Sequence, residues 1–260
     1  MAAFDLDGTL LNSNHEISPE NCEALQQLTA NDILVVLVSG RMHRSIKPIS
    51  DKIGLKNPII SYNGGMVKHA ITDEVYHHTP VPAEYATAIV NDCTNQNLHL
   101  NYCLNDELYV VKKNDWSELY EVRTGVPANP IGELQQLDGE TPTKLLIIHQ
   151  AEELTSLLEY FKSKYRDKLY VTQTQPEYIE FMNPDVTKGN ALIALSDRFN
   201  IPIDSVVAFG DSYNDESLLK TAGYGIAMEN AVPPIKDCAD YITTTNDDNG
   251  VAKAIWNLIL

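Results

Sequence analysis

The feature that most narrows the fold of this chain is a short apolar run that stops abruptly in polar residues and glycine, and that recurs. Residues 33–38 are six consecutive aliphatic side chains, followed at once by Ser39-Gly40-Arg41. An unbroken run of this kind marks a strand buried on both faces. The same device appears at residues 2–4, which lead into Asp5-Leu6-Asp7-Gly8-Thr9, and at residues 58–61, which lead into Tyr62-Asn63-Gly64-Gly65. Residues 206–209 repeat it, ending in Gly210-Asp211-Ser212-Tyr213-Asn214-Asp215. Helical signals separate the runs. Ser18 followed by Pro19 reads as an N-cap with proline at the first helical position, and Ala24, Leu25 and Leu28 recur at helical spacing. Further helices are expected over 44–53 and 191–199, after residue 215, near 233–238 and from about residue 249. Strands alternating with helices predict an α/β fold with a doubly wound parallel, Rossmann-like sheet. Ligands bind such sheets at the carboxyl ends of the strands, which is where these polar residues fall.

From about residue 80 the pattern changes. Thr79-Pro80-Val81-Pro82 reads as a linker. A helix is expected over 83–96, and the strand-like segments 98–103 and 107–111 are too close for a helical crossover, so they should pair antiparallel. Residues 116–141 carry little pattern and suggest short helices and loops. A strand over 144–149, a helix over 152–165 and a hairpin-like pair, 169–173 with 178–182, complete an α+β module. The strand–helix pattern then resumes. The expected organisation is a discontinuous core, 1–81 with 184–260, and an inserted α+β domain at 82–183.

Charge and cysteine content exclude several function classes. The net charge is −17, which argues against partners that need clustered Lys and Arg, nucleic acid and anionic membranes among them. No apolar stretch has the length of a membrane helix, and no basic region precedes a long apolar one as in a signal peptide. The four cysteines, Cys22, Cys93, Cys103 and Cys238, form no C-x-x-C pair. They read as reduced thiols in a cytoplasmic protein.

The strand ends bring complementary chemistry together. Strand alternation would point Asp5 and Asp7 to one side. Like charges that close call for a bound cation or a shared proton, and two solvated aspartates in a turn are the alternative. Asp211 and Asp215 form a second carboxylate pair. Ser39 and Gly40 offer a hydroxyl and a flexible glycine, and Lys188 enters at the start of a helix. A nucleophile, metal-binding carboxylates, phosphate donors and a cation are the parts that phosphoryl transfer needs. Arg41 could reach substrate or form an ion pair at the sheet edge. Asn63 could face phosphate or simply make the turn.

Together these motifs resemble the haloacid dehalogenase superfamily of aspartate-nucleophile phosphatases. Within it, the sequence looks most like the Cof-type branch with a class IIB cap. The resemblance spans the chain: Asp5-Leu-Asp-Gly-Thr-Leu-Leu, Val38-Ser-Gly-Arg, Asn63-Gly-Gly, Val186-Thr-Lys-Gly-Asn-Ala-Leu, Gly210-Asp-Ser-Tyr-Asn-Asp and Asp248-Asn-Gly-Val-Ala. It implies Asp5 as nucleophile and Asp7 as general acid and base. Mg²⁺ would be bound by Asp5, the Asp7 carbonyl and Asp211, with Asp215 as a further metal partner. Ser39, the Gly40 amide and Lys188 would hold phosphate, Asn214 would place Lys188 or the phosphate, and the insert would act as a cap that selects substrate. The implied partner is a small phosphorylated metabolite, a sugar phosphate or a related compound, taken by a monomer. A phosphotransferase or phosphomutase using the same intermediate is the alternative activity, and a non-catalytic ligand-binding regulator a more distant one. Only residues 1–4 precede the first aspartate, fewer than is usual in that family, so either the first strand is short or the sequence starts late.

Overall fold

The computed structural model describes residues 1–260. They divide into two compact units, Met1–His77 with Thr187–Leu260, and His78–Val186.

The first unit is built on an eight-stranded sheet. In chain order its elements are β1 (Ala2–Asp5), α1 (Pro19–Ala30), β2 (Val35–Val38), α2 (His43–Lys52), β3 (Pro58–Ser61), β4 (Met66–His69) and β5 (Val75–His78). After the second unit, which holds α3 to α5 and β6 to β11, come α6 (Lys188–Arg198), β12 (Val207–Gly210), α7 (Glu216–Thr221), β13 (Tyr224–Ala227), α8 (Pro233–Cys238), β14 (Tyr241–Ile242) and α9 (Gly250–Leu258). The strand order is β14-β13-β12-β1-β2-β3-β4-β5. The strands from β14 to β3 run parallel. Strand β4 turns back antiparallel to β3, so the sheet is mixed at this edge rather than wholly parallel. The sequence reading missed β4 and β5. Each is a four-residue strand with polar residues in it, and pairing at an edge rather than an apolar run defines them.

The expectation of strands buried on both faces holds in the packing. Phe4, Val35, Leu37, Ile59 and Phe209 point to one face, where they pack with Leu25 and Leu28 of α1 and Val251 and Ile255 of α9. Their alternating neighbours Ala3, Val36, Val38, Ile60 and Ala208 point to the other, against Leu192 and Leu195 of α6 and Leu218 and Leu219 of α7. Strand β1 is short, but it is held from both sides. Ala2 to Phe4 pair with β12, and Ala2 to Asp5 pair with β2. The Phe4 and Phe209 rings stack across that pairing with centroids 4.7 Å apart. Four residues suffice here because burial on two faces and ladders on two edges hold them.

The second unit contains α3 (Ala83–Asn95), β6 (His99–Leu104), β7 (Glu107–Val110), α4 (Asp115–Thr124), β8 (Ala128–Pro130), β9 (Lys144–Ile148), α5 (Ala151–Lys164), β10 (Tyr170–Gln175) and β11 (Tyr178–Met182). Its sheet has the order β10-β11-β9-β6-β7-β8. The expected antiparallel pairing of β6 with β7 is present, and β8 adds to β7 in parallel. Leu100, Tyr102, Leu145, Ile147, Ile179 and Phe181 share one face and pack on α3 and α5. The alternating face carries Asn101, Lys144 and Glu180, all buried. Lys144 Nζ lies 2.8 Å from Glu180 Oε1, so each charge is compensated by the other. No helix of the protein is long and apolar enough to cross a membrane, and all four cysteines are free.

A buried pair costs most when half of it is removed, because an uncompensated charge remains. Lys144→Met alone is therefore expected to cost about 3 to 5 kcal/mol, and Lys144→Met with Glu180→Leu to recover most of that loss. Urea unfolding of the full chain, followed by circular dichroism, measures both.

Candidate active site

The site is assembled at the carboxyl ends of the adjacent strands β12, β1, β2 and β3. Parallel register brings four chain segments to one edge that are far apart in sequence. Asp5 is the last residue of β1 and is buried. Beyond it the chain leaves the strand, and Asp7 makes only an isolated bridge to Leu11. The two carboxylates therefore do not share a side through strand alternation, as the sequence spacing suggested. Asp5 turns inward to Lys188, whereas the Asp7 side chain is 43 % exposed and meets Arg41.

Lys188 is the central cation. It is the first residue of α6, whose N-cap Thr187 accepts from the Asn190 amide. Its side chain is fully buried, and Nζ donates to Asp5 Oδ1 at 2.6 Å and to Asp215 Oδ1 at 2.5 Å. Burial by itself would favour the neutral amine. Asp215 and Asp5 outweigh it and raise the pKa, so the lysine stays charged. The second oxygen of Asp215 accepts from the backbone amides of Asp211 and Ser212, each at 3.0 Å. Asp215 thus ties the lysine to the turn that carries Asp211.

Close backbone approaches make this possible. Gly8 has φ +82°, and a Cβ there would lie 2.5 Å from Asp211 Oδ2. Gly64, at φ +101°, would place a Cβ 2.2 Å from the Thr187 carbonyl at the start of α6. Both positions require glycine for conformation and for space.

Oxygens of Asp5, Asp211 and Asp215 lie within 4.8 Å of one another. Burial first, then Asp215 and Asp211, raise the Asp5 pKa well above the usual carboxylate value despite Lys188. Asp211 is pushed up to about 6, chiefly by burial, although the Thr9 hydroxyl donates to its Oδ1 at 2.8 Å. The cluster has more negative charge than its one buried lysine balances. Three carboxylates of this kind are hard oxygen donors and fit a hard divalent cation.

The remaining predicted residues surround this cluster. Arg41 clasps Asp7 with two nitrogens; Nε donates to Oδ2 at 2.8 Å and Nη2 to Oδ1. Of the two roles the sequence left open for Arg41, the structure displays the ion pair. Ser39 is buried at the end of β2, and its Oγ accepts from the Arg41 amide. Asn63 sits beside Gly40, where its Oδ1 would lie 2.9 Å from a Cβ on that glycine. Asn214 donates to Asn63 Oδ1 at 2.9 Å rather than to Lys188. The sequence reading missed Thr9, which holds Asp211, and Asn230, whose side chain donates to the Gly8 carbonyl at 2.7 Å. Thr9 was legible in position but not in partner; for Asn230 no local signal exists.

A charged cluster at the carboxyl edge of a central parallel strand is one arrangement for phosphoryl chemistry, and the chain's relatives decide the family. A family described as haloacid dehalogenase-like hydrolase matches residues 2–255. The chain belongs to the haloacid dehalogenase-like hydrolases. It is a haloacid dehalogenase-type phosphatase of the Cof-type branch, with a class IIB α+β insert, and hydrolyses phosphate monoesters. It is 32 % identical to phosphatase YwpJ of Bacillus subtilis, across 100 % of this chain and 99 % of that one. It is 28 % identical to the 5-amino-6-(5-phospho-D-ribitylamino)uracil phosphatase YitU of the same organism, with 97 % and 95 % covered. The crystal structure of TM0651 from Thermotoga maritima superposes with a TM-score of 0.93 at 33 % identity, over 100 % of this chain and 97 % of that one.

For a phosphatase of this family the raised carboxyl pKa values have a measurable consequence. A carboxyl whose folded pKa is raised stabilises the fold fully below its unfolded value, and loses that contribution as pH rises through the folded value. For Asp211 that window runs up to about 6. In chelator, Asp211→Asn should therefore melt above the wild type at about pH 7.5 but not at about pH 4. Added divalent ion should raise the wild-type melting temperature at the higher pH more than that of the variant. Differential scanning fluorimetry at the two pH values reads both.

Proposed function

We propose that this phosphatase hydrolyses phosphate monoesters of small sugar or sugar-alcohol metabolites through an aspartyl-phosphate on Asp5, with Mg²⁺ as its metal. The observation that carries this reading is the setting of Asp5. It is buried at the end of the central strand, with Lys188 Nζ 2.6 Å from Oδ1. In the first step an Asp5 carboxylate oxygen bonds to phosphorus as the bond to the ester oxygen breaks, and Asp7 gives its proton to the departing oxygen. In the second, water attacks phosphorus, Asp7 takes the proton, and the bond between Asp5 and phosphorus breaks. The carboxylate is regenerated and inorganic phosphate leaves.

Ser39 and the Gly40 amide donate to the phosphoryl oxygens, with Asn63 and Asn214 beside them, and Lys188 neutralises charge on phosphate and nucleophile. Arg41 orients the Asp7 carboxylate. Asp5, Asp211 and the Asp7 carbonyl would hold Mg²⁺, with Asp215 behind them. When bound, Mg²⁺ supplies Lewis-acid stabilisation of charge on the transferring group. The substrate class is supported by YitU, whose name describes a phosphate carried on a ribityl chain.

Phosphate release across a panel of sugar phosphates, sugar-alcohol phosphates, nucleotides and cofactor phosphates tests the substrate class. The highest kcat/KM is expected among the first two groups, and a preference for nucleotides would overturn it. Asp5→Asn should fold normally and release no phosphate above background, because the amide keeps the shape but cannot attack. Near wild-type release would remove Asp5 from the nucleophile role. Chelation should abolish turnover and Mg²⁺ should restore it.

A further inference from the structure

The loop between β1 and α1 carries Asp7, yet it is neither strand nor helix. Its backbone polar groups can still be accounted for. The amides turn inward: Thr9 and Leu11 donate to the Leu6 carbonyl, and Leu10 donates to the Asp5 carbonyl. Three carbonyls of the same stretch are each taken by an asparagine side chain from another part of the chain. Asn230 Nδ2 donates to the Gly8 carbonyl at 2.7 Å, Asn21 Nδ2 to that of Leu10 at 3.2 Å, and Asn246 Nδ2 to that of Leu11 at 2.9 Å. The donors are themselves linked. The Asn246 amide donates to Asn230 Oδ1, and the Ala252 amide in the first turn of α9 donates to Asn21 Oδ1, both at 3.0 Å. Asn246 and Asn21 are buried, whereas Asn230 is exposed. None of the three has a side-chain bond to Asp5, Lys188 or Asp211.

We infer that Asn230 and Asn246 are positioning residues for the reaction: their side-chain amides grip the carbonyls of Gly8 and Leu11 and so set the loop that aims Asp7. The inference rests on the reading of Asp7 as the general acid. The Gly8 carbonyl lies one residue beyond Asp7, and the Leu11 backbone forms the isolated bridge to Asp7. Arg41 holds the Asp7 carboxylate, but a carboxylate can be aimed only as well as the backbone that bears it. Displacement of a proton donor by about 1 Å can cost on the order of a hundredfold in rate. Asp7 serves both steps, but kcat/KM reports only through cleavage of the ester, so the loss in kcat/KM falls on the step in which the ester oxygen needs its proton.

That step provides the test. A sugar alkoxide leaves poorly without a proton, whereas p-nitrophenolate leaves unaided. Asn230→Ala and Asn230→Asp both delete the donor at an exposed position where folding is not at stake, and Asn246→Ala deletes the buried one. The variants are compared with wild type and Asp7→Asn, as full-length protein with saturating Mg²⁺. The substrates are p-nitrophenyl phosphate and glucose 6-phosphate, or whichever sugar phosphate ranks first in the panel. Each Asn230 variant is expected to lose about 10- to 100-fold in kcat/KM for the sugar phosphate, and less than about threefold for p-nitrophenyl phosphate. The melting temperature should stay within about 2 °C of wild type.

Equal losses on both substrates, or no loss on either, would overturn the inference. If Asn246→Ala does not fold, the Asn230 pair decides. If Asp7→Asn shows no dependence on the leaving group, the acid assignment falls and the positioning inference falls with it. If Asp7→Asn shows that dependence and the Asn230 variants do not, only the positioning inference falls.

Discussion

The structure depends on one buried ammonium. Lys188 has no exposure to solvent and is held between Asp5 and Asp215. Taking a lysine out of water is costly, and it is tolerated only where partners meet its charge with good geometry. Each partner here belongs to a different strand end. Asp5 closes β1, and Asp215 folds the turn after β12 by accepting two backbone amides. The lysine comes from the first residue of α6. One ion cluster thereby sets the relative position of a strand, a turn and a helix start, and those three segments carry the chemistry.

The same cluster explains why the site is electrostatically unfinished. Asp211 joins Asp5 and Asp215 within a few ångströms, and both Asp5 and Asp211 have raised pKa values. A protein in this condition gains by binding a cation or an extra proton. Folding accepts that frustration because the sheet is stabilised elsewhere, by two apolar faces packed with helices. Asp7 stands apart from the buried group. It is more exposed, paired with Arg41, and borne on a loop whose carbonyls are held by distant asparagines. The arrangement separates a fixed, buried carboxylate from an accessible one. Two carboxylates one residue apart can then do different work, because their surroundings differ while their chemistry is the same.

Much of the fold could be read from local pattern alone. The continuous apolar runs at 2–4, 33–38, 58–60 and 206–209 imply burial on both faces, and burial on both faces implies a parallel sheet covered by helices. The polar stops after those runs then fall on one edge by topology, which is why Asp5, Ser39, Asn63 and Asp211 could be grouped from the sequence, whereas Lys188 was marked by its place at a helix start. Strands β4 and β5 were not legible, because each joins the sheet through its ladder without a continuous apolar run to mark it. Nor were the partners within the site. Spacing could not reveal that Asp7 meets Arg41 and that Asn214 meets Asn63. The asparagine grip on the loop was also hidden, since Asn230 and Asn246 act on residues more than two hundred positions away. Local sequence dictates backbone preference and burial. Which polar groups meet is decided only when distant segments pack, because a hydrogen bond depends on a few tenths of an ångström and on no periodicity in the chain.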